Sequence, residues 1–258
     1  MGDVWSQNGF HIEYKEENAT AELLWESHCH AGFEAIAVLE GDITLALEGH
    51  RYRLAAGECA LISPLAYHTV AANRQGQYRR VTVEIDAAAV PLPLRTHLSD
   101  GRRISVFPFS QGAVLRDAYL SADRAFYAPL AQSAVVTLLY ESLGSTEGEN
   151  AEPMDRVLSG ILSFIDRHLR EPITLADIAA DAALSASSVC HIFSEKMKIS
   201  PKKYILQKKL ALAEKLITEG MPSTEAALFV GYEDYSNFYR AFLRAYGKSP
   251  SQMRSNGK

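Results

Sequence analysis

The stretch GYEDYSNFYRAFLRAYGKSP, residues 231–250, decides how the C-terminal third of the chain folds. Asp234 stands where a helix N-cap is expected, and Phe238 and Phe242 follow at helical spacing, so that both rings point to one side. Gly247 and Pro250 end the helix, because glycine readily closes a helix and proline cannot continue one. The pattern predicts a short amphipathic helix with five outward side chains: Tyr235, Asn237, Tyr239, Arg240 and Arg244.

A second short helix, from Ser223 to Gly231, precedes this one, and the same plan occurs once more upstream. There Thr174 caps a helix of about two turns, residues 182–184 turn the chain, and Ser185 caps a helix that points Ser187, Cys190, His191 and Ser194 outward. A support helix over 154–168 and a connecting helix over 201–218 complete the region. A short helix, a tight turn and a second helix form a helix-turn-helix, whose second helix fits a major groove.

Residues 154–254 resemble the AraC/XylS family of transcription regulators. The family pattern G-F-x-x-x-S-x-F-x-R-x-F…G-x-x-P…R is met here by Gly231, Tyr232, Ser236, Phe238, Arg240, Phe242, Gly247, Pro250 and Arg254. The resemblance implies base-reading positions at Ser187, Cys190 and His191 in the first motif, and at Tyr235, Asn237, Tyr239 and Arg240 in the second.

The predicted positions differ in how specifically their side chains can recognise a base. Arg240 can bind a guanine edge and Asn237 an adenine edge, whereas Ser, Cys and neutral His offer single contacts. An ion pair within the domain is the alternative role for Arg240. The connecting helix carries four lysines, which either contact phosphates or form a solvated face: Lys202, Lys203, Lys208 and Lys209.

The net charge of −5 is divided unevenly along the chain. Residues 1–143 carry −6, residues 144–153 carry −3 and residues 154–258 carry +4. A basic C-terminal third is typical of a DNA-binding module. We therefore predict a sensing and dimerisation domain over 1–143, an acidic linker over 144–153 and a DNA-binding domain over 154–258.

Short β-prone runs alternate with turn signals between Leu23 and Ile85. Their close spacing predicts antiparallel hairpins in a sandwich or small barrel whose interior can hold one small ligand. Within this region His28, His30 and Glu34 share strand parity, and His68 lies on a later strand. Three imidazoles and a carboxylate can ligate Fe, Mn, Ni or Zn, but polar groups in a pocket more often orient an organic ligand. We therefore expect no cofactor, with a divalent metal as the alternative.

The order of His28, His30, Glu34 and Gly41, with His68 later, resembles the cupin motif H-x-H-x3-E-x6-G and its second-motif histidine. The resemblance implies an N-terminal all-β cupin-like barrel. After Phe109 the pattern becomes helical, with a segment over 111–123 and a following helix. The apolar stripe of that helix either covers the barrel or pairs with a second chain: Ala131, Val135, Leu138 and Leu139.

The cysteine content and the lengths of the apolar runs indicate where the protein is located. The three cysteines are odd in number and widely spread, which suits a reducing cytoplasm, and Cys29 and Cys59 are expected to be small buried thiols. No apolar run has the length of a membrane helix, so we expect a soluble protein without a membrane partner.

Together these features predict a two-domain protein: an all-β cupin-like barrel with appended helices, then an all-α domain with two helix-turn-helix motifs. We expect a cytoplasmic, homodimeric transcription regulator rather than an enzyme. It would bind double-stranded promoter DNA and a small-molecule effector, with RNA polymerase as a possible further partner. The resemblance implies a sugar or another small polar metabolite as effector, and activation more often than repression. The alternatives are a metal-dependent cupin enzyme, a metal sensor, and a constitutive DNA-binding protein whose barrel only dimerises.

Overall fold

A computed structural model describes residues 5–7, 9–19, 27–73, 76–99, 103–145, 152–153 and 155–255. The chain divides into two compact units. The first contains residues up to 152, apart from 27–31 and 48–50, which cluster with 153–258 in the second. Most of the predicted linker, residues 146–151, and the predicted start of the support helix at 154 lie outside the described residues. The predicted β-rich region followed by an all-α helix-turn-helix region is confirmed.

The first unit is built on two antiparallel sheets. The larger has the strand order β1-β2-β8-β3-β6-β9 and the smaller the order β10-β5-β4-β7. The strands span Trp5–Gln7 (β1), Phe10–Ala19 (β2), Phe33–Glu40 (β3), Asp42–Leu47 (β4), His50–Ala55 (β5), Glu58–Ile62 (β6), His68–Ala72 (β7), Gly76–Ile85 (β8), Ile104–Pro108 (β9) and Glu152–Pro153 (β10). The six strands predicted between 35 and 85 are present, whereas β1, β2, β9 and β10 were not predicted, and β10 lies in the predicted linker.

Both faces of the larger sheet are buried. One face joins the smaller sheet around an apolar interior that includes Ile36, Leu45 and Tyr78. The other face, with Val81 and Val83, packs against the two helices that span Gly112–Leu120 and Arg124–Leu143. Among the described residues of this unit there are three α-helices, Leu92–Ser99 (α1), Gly112–Leu120 (α2) and Arg124–Leu143 (α3), and a short 3-10 helix, Ala87–Ala89.

The apolar stripe of α3 that was predicted from the sequence, here called the inner stripe, has one of the two roles expected of it. Ala131 and Leu138 are fully buried, and Val135 and Leu139 nearly so, all within the core that covers the sheet. This stripe therefore covers the barrel, and the alternative that it pairs with a second chain is wrong.

The second unit is helical. Its helices span Arg156–Arg167 (α4), Leu175–Asp181 (α5), Ala186–Ile192 (α6), Pro201–Thr218 (α7), Ser223–Phe229 (α8), Tyr235–Tyr246 (α9) and Pro250–Ser255 (α10), and a π-helical turn over Phe193–Met197 extends α6. The predicted caps are present, because Thr174 forms a capping box with Asp177 and the side chains of Ser185 and Asp234 each accept a backbone N–H bond. None of the described helices is both long and apolar enough to cross a bilayer.

The turns of the two helix-turn-helix motifs share one hydrogen-bond pattern. Leu184 N–H donates to the Ala179 carbonyl at 2.9 Å in the first motif, and Tyr232 N–H donates to the Ala227 carbonyl at 2.9 Å in the second. The residue before each donor is left-handed, with φ of +52° at Ala183 and +81° at Gly231. The same plan is therefore built twice, with alanine in the first motif where the second has glycine.

Candidate nucleic-acid interface and effector site

Helix α9 separates an apolar face from a polar one. Phe238 and Phe242 are fully buried in the core of the second unit. The five predicted contact residues are all exposed on the same helix: Tyr235, Asn237, Tyr239, Arg240 and Arg244. Tyr235 also bonds Ser223 through its hydroxyl at 2.9 Å, which ties the start of α9 to α8. The geometry leaves this face accessible, and its role in binding DNA stays a prediction.

Arg240 and Asn237 act as one polar group. The Arg240 guanidinium donates to Asn237 Oδ1 at 2.6 Å on the exposed face. Within the described part of the chain, no carboxylate lies at ion-pair distance from Arg240, so the alternative of an ion pair inside the domain finds no support there. The amide holds the guanidinium on α9, with further N–H groups available for a base edge or a phosphate.

The corresponding face of α6 is chemically weaker. Ser187, Cys190 and His191 are exposed as predicted. His191 Nε2 lies 3.5 Å from Glu195 Oε2, and both side chains are more than half exposed. This face offers hydroxyl, thiol and imidazole groups, and none of its three predicted contact residues carries a permanent positive charge.

The four lysines of α7 divide into two kinds. Lys202 and Lys203 are exposed in its first turn, which is compatible with phosphate contact or with solvation. Lys208 is 1% exposed, with Nζ at 2.6 Å from Glu48 Oε1 and at 2.9 Å from Asp166 Oδ1. Lys209 donates to the carbonyls of Glu171 and Val230 at 2.8 and 2.9 Å. For Lys208 and Lys209 both sequence interpretations are wrong, because each ammonium is buried and bonded inside the fold.

In the first unit, Glu34 and His68 form a buried pair. Glu34 lies on β3, His68 begins β7, and His68 Nε2 lies 2.8 Å from Glu34 Oε2. His68 Nδ1 donates to the Ala66 carbonyl at 3.0 Å, because a carbonyl oxygen can only accept. A neutral ring would then direct an Nε2 lone pair at a carboxylate oxygen. Attraction between these two atoms therefore requires a hydrogen atom or a bound cation between them.

The four predicted site residues lie together. One ligand atom from each of His28, His30, Glu34 and His68 lies within 4.8 Å of the others. The expectation that the first three share one strand is wrong, because β3 begins only at Phe33 and His28 forms an isolated bridge. A bend at Ala31-Gly32, and not strand alternation, directs the two histidines to the cluster. Three imidazoles and a carboxylate at this separation fit a divalent cation.

The sequence interpretation missed two polar side chains on β8. Arg80 is 6% exposed and Thr82 is 7% exposed. They share strand parity with Tyr78, which belongs to the interior core, and pair with Val38 and Ile36 of β3. Among the described residues, no hydrogen-bond partner reaches the Thr82 hydroxyl. The interior therefore contains a buried guanidinium and hydroxyl in addition to the buried side chains of Glu34 and His68.

The thiols of Cys29 and Cys59 have raised pKa values. Burial raises the pKa of the half-buried Cys29 thiol to about 12. Burial also raises the pKa of Cys59, which is fully enclosed. Both thiols are therefore protonated near neutrality. Cys59 is buried as expected, whereas Cys29 is only partly buried.

Two family models match the chain. Residues 178–256 match a helix-turn-helix domain, and residues 16–83, which include all four members of the histidine cluster, match a cupin domain.

Three curated proteins illustrate the likeness. The probable transcriptional regulator LumQ of Photobacterium leiognathi is 32% identical over 134 residues, or 52% of this chain and 53% of LumQ. The arabinose operon regulatory protein of Escherichia coli K12 is 30% identical over 105 residues, or 40% of this chain and 36% of that protein. The transcriptional activator NphR of a Rhodococcus species is 26% identical over 243 residues, or 89% of this chain and 71% of NphR. The chain thus spans about half of LumQ and less of the arabinose regulator.

Proposed function

The chain joins a cupin domain to a helix-turn-helix domain of the AraC type, and from this premise we propose that it is a DNA-binding transcription regulator controlled by a small molecule. The observation that carries the proposal is the repeated motif. Two helix pairs share one turn geometry, and each exposes the polar face of its second helix. Two such helices suit two major-groove segments about one helical turn apart.

Arg240 provides the first test of DNA binding. A preferred duplex is selected from a random pool with the purified full chain, and affinities are measured by fluorescence anisotropy. Arg240→Ala is expected to weaken binding to that duplex by about 1–3 kcal/mol and to relax the preference at one base pair. The matched control is Arg156→Ala, which removes an exposed arginine of the same unit outside both motifs.

The outcomes separate three roles. Equal loss on selected and random duplexes would assign Arg240 to phosphate contact. Equal loss in Arg240→Ala and Arg156→Ala would reduce the effect to net charge. Failure of the full chain to select any duplex at low salt would refute the regulator function.

For the effector we propose a small polar metabolite bound inside the first unit, with a sugar as the leading class. The support is the polar lining of the interior, where Glu34, Arg80 and Thr82 offer acceptor and donor groups. A ligand hydroxyl can bond Thr82 Oγ1, which otherwise bears the cost of a buried polar group. The effector must bind two states of the protein unequally in order to change its affinity for DNA.

A screen of sugars and small organic acids by thermal shift tests this site. Thr82→Val is expected to weaken a polar hit about fivefold to tenfold, since it removes one neutral hydrogen bond of roughly 1 kcal/mol. Thr96→Val, on the exposed face of α1, is the control. Hits that bind both variants with wild-type affinity would place the effector elsewhere.

The second candidate is a metal-dependent function, favoured by the cluster of His28, His30, Glu34 and His68. These side chains would hold a divalent cation, which supplies Lewis acidity when bound. Elemental analysis of protein purified without chelator tests the candidate, with His30→Ala against the exposed His97→Ala as control. About one ion per chain, lost only in His30→Ala, would support it. A metal sensor further requires DNA affinity that changes with the metal, and an enzyme requires turnover.

The proposal also covers the localisation, oligomeric state and sign of regulation of the protein. We propose that it acts in the cytoplasm, as a homodimer, and as an activator that contacts RNA polymerase. Activation is supported by the similarity to NphR, a transcriptional activator that is 26% identical over 89% of this chain. Transcription from a reporter that carries the selected duplex, with and without the effector, measures the sign of regulation.

A further inference from the structure

The side chains of Asn237 and Arg240 are joined on the exposed face of α9. The two residues stand three positions apart, so their side chains are neighbours on the helix surface. Arg240 Nη2 donates to Asn237 Oδ1 at 2.6 Å. The accepting atom must be the amide oxygen, because a guanidinium has only donors and an amide nitrogen does not accept. The contact therefore fixes the orientation of the amide as well as the position of the guanidinium.

The bond directs Arg240 toward the start of α9. Side chains on a helix lean toward its N-terminus, and the bond to Asn237 holds the guanidinium in that direction. Arg244, four residues further on, is also exposed, and like charges at this spacing repel. The first residues of a recognition helix are those that contact base edges in the major groove. The guanidinium is therefore held where such an edge would lie.

No competing partner draws Arg240 elsewhere. Over the described residues, the bond to Asn237 is the single polar contact of the Arg240 side chain. The neighbouring Tyr235 is engaged with α8, because its hydroxyl lies 2.9 Å from the Ser223 hydroxyl. The pair of Asn237 and Arg240 is therefore a polar unit of its own on this face.

The bond also changes what Asn237 offers to a base. Bidentate recognition of adenine uses both halves of an amide, because the oxygen accepts from N6 and the nitrogen donates to N7. Here the oxygen already accepts from a charged donor, and such bonds are about twice as strong as bonds between neutral groups. The outward groups of the pair are donors: the remaining N–H groups of Arg240 and the Asn237 amide nitrogen. Guanine presents two acceptors in the major groove, O6 and N7, and matches these donors.

We propose that Asn237 is a positioning residue for Arg240, and that the two side chains recognise one guanine as a single donor group in place of separate contacts to guanine and adenine. The inference rests on the proposed DNA-binding function and names the base that this face of α9 prefers. Ordering a long side chain on binding weakens a complex by about twofold to tenfold. The bond provides that order before DNA is bound.

A double-mutant cycle on the selected duplex tests the positioning role, with affinities measured by fluorescence anisotropy. Asn237→Ala is expected to weaken binding about fivefold, because the guanidinium must then be ordered when DNA binds. In an Arg240→Ala background the same change is expected to weaken binding by less than about twofold. The matched control is an Arg244→Ala background, where the full loss is expected because Arg244 has no bond to Asn237. Equal losses in all three backgrounds would overturn the proposal.

Asn237→Asp separates positioning from direct recognition of a base. Aspartate keeps an acceptor for Arg240 but has no donor for adenine N7. At the base pair where Arg240→Ala relaxes the preference, the wild-type chain and Asn237→Asp are both expected to select guanine, whatever the added charge does to overall affinity. A base other than guanine at that position in the wild type would overturn the proposal. So would a preference that Asn237→Asp shifts to cytosine, which offers a donor to a carboxylate.

The bond itself can be measured without DNA. Nuclear magnetic resonance of the full chain with isotope-labelled arginine distinguishes a guanidinium held by a hydrogen bond from one that rotates freely, and Arg240→Lys identifies the signals of Arg240. Separate Nη signals are expected in the wild type and in Asn237→Asp, and merged signals in Asn237→Ala. Merged signals in the wild type would refute the contact and the proposal with it.

The proposed function fails by a different result. A chain that selects a duplex but shows equal losses in every background would refute the positioning role and leave the regulator function standing. A chain whose Arg240 is held by Asn237 but which selects no duplex would refute the regulator function, and with it the recognition of guanine.

Discussion

The left-handed residue of each helix-turn-helix turn predicts opposite effects of exchanging glycine and alanine. Gly231 has φ of +81°, and a Cβ added there would lie 2.9 Å from Lys209 Nζ and 3.2 Å from the Arg170 carbonyl oxygen. In Gly231→Ala, the left-handed conformation costs about 1–2 kcal/mol for an L-residue, and the reduced freedom of the unfolded chain returns about 0.4–1 kcal/mol. The displaced ammonium adds to the net cost.

The contribution of Lys209 follows from its hydrogen bonds. Nζ donates to the Glu171 and Val230 carbonyls at 2.8 and 2.9 Å, and a bond to a charged group contributes about 1.5–3 kcal/mol. Loss of one of the two bonds, added to the backbone cost, makes Gly231→Ala destabilising by about 3 kcal/mol. For Ala183→Gly the two backbone contributions have the opposite sign, and no lysine hydrogen bond is lost. Its expected effect lies between zero and about 1.6 kcal/mol of stabilisation.

Hydrogen exchange followed by mass spectrometry is the appropriate assay, because it reports local opening of α8 and α9 without assuming that the two units unfold together. Gly231→Ala is measured alone and in a Lys209→Met background. If the new methyl group acts through Lys209, the two losses are less than additive by about 2 kcal/mol. Strictly additive losses, or a Gly231→Ala loss below about 1 kcal/mol, would refute the reasoning.

Two further predictions concern charge. Replacing Lys202 and Lys203 by alanine is expected to reduce the slope of log affinity against log salt by about one for each true phosphate contact, and an unchanged slope in a salt titration would identify a solvated face. The hydrogen bond with Thr174 holds the pKa of Asp177 below its ordinary value of 3.8 in the folded protein. The ionised carboxylate therefore stabilises the fold fully above pH 3.8, and this stabilisation is lost as the pH falls through the lower pKa of the folded state. The difference in free energy of unfolding between wild type and Asp177→Asn, measured with urea, is therefore expected to be largest at pH 7 and to decrease below pH 4. A difference that does not depend on pH would contradict this.

Much of the second unit could be predicted from the sequence, because its signals are local. The caps at Thr174, Ser185 and Asp234 and the apolar spacing of Phe238 and Phe242 act within one or two helical turns. Each helix therefore carries its own boundaries and its own buried face. The outward side chains of α6 and α9 follow from the same periodicity.

The first unit shows the limit of this reasoning. Strand β8 alternates Val81 and Val83 with Arg80 and Thr82, which in an open sheet would place the valines toward the sheet-to-sheet interior. The valines instead pack under the covering helices, and the polar side chains face the interior. The alternation predicts two different faces but cannot specify what covers each one.

The sequence alone determined the two fold types, the two short helix pairs and the membership of the histidine cluster. These depend on spacing along the chain. Tertiary structure alone decided that Lys208 and Lys209 are buried, that the inner stripe of α3 covers the sheet, and that a bend rather than a strand positions His28 and His30. The physical reason is the range of the interactions. Lys208 is neutralised by a carboxylate 160 residues away, and no local pattern records that partner.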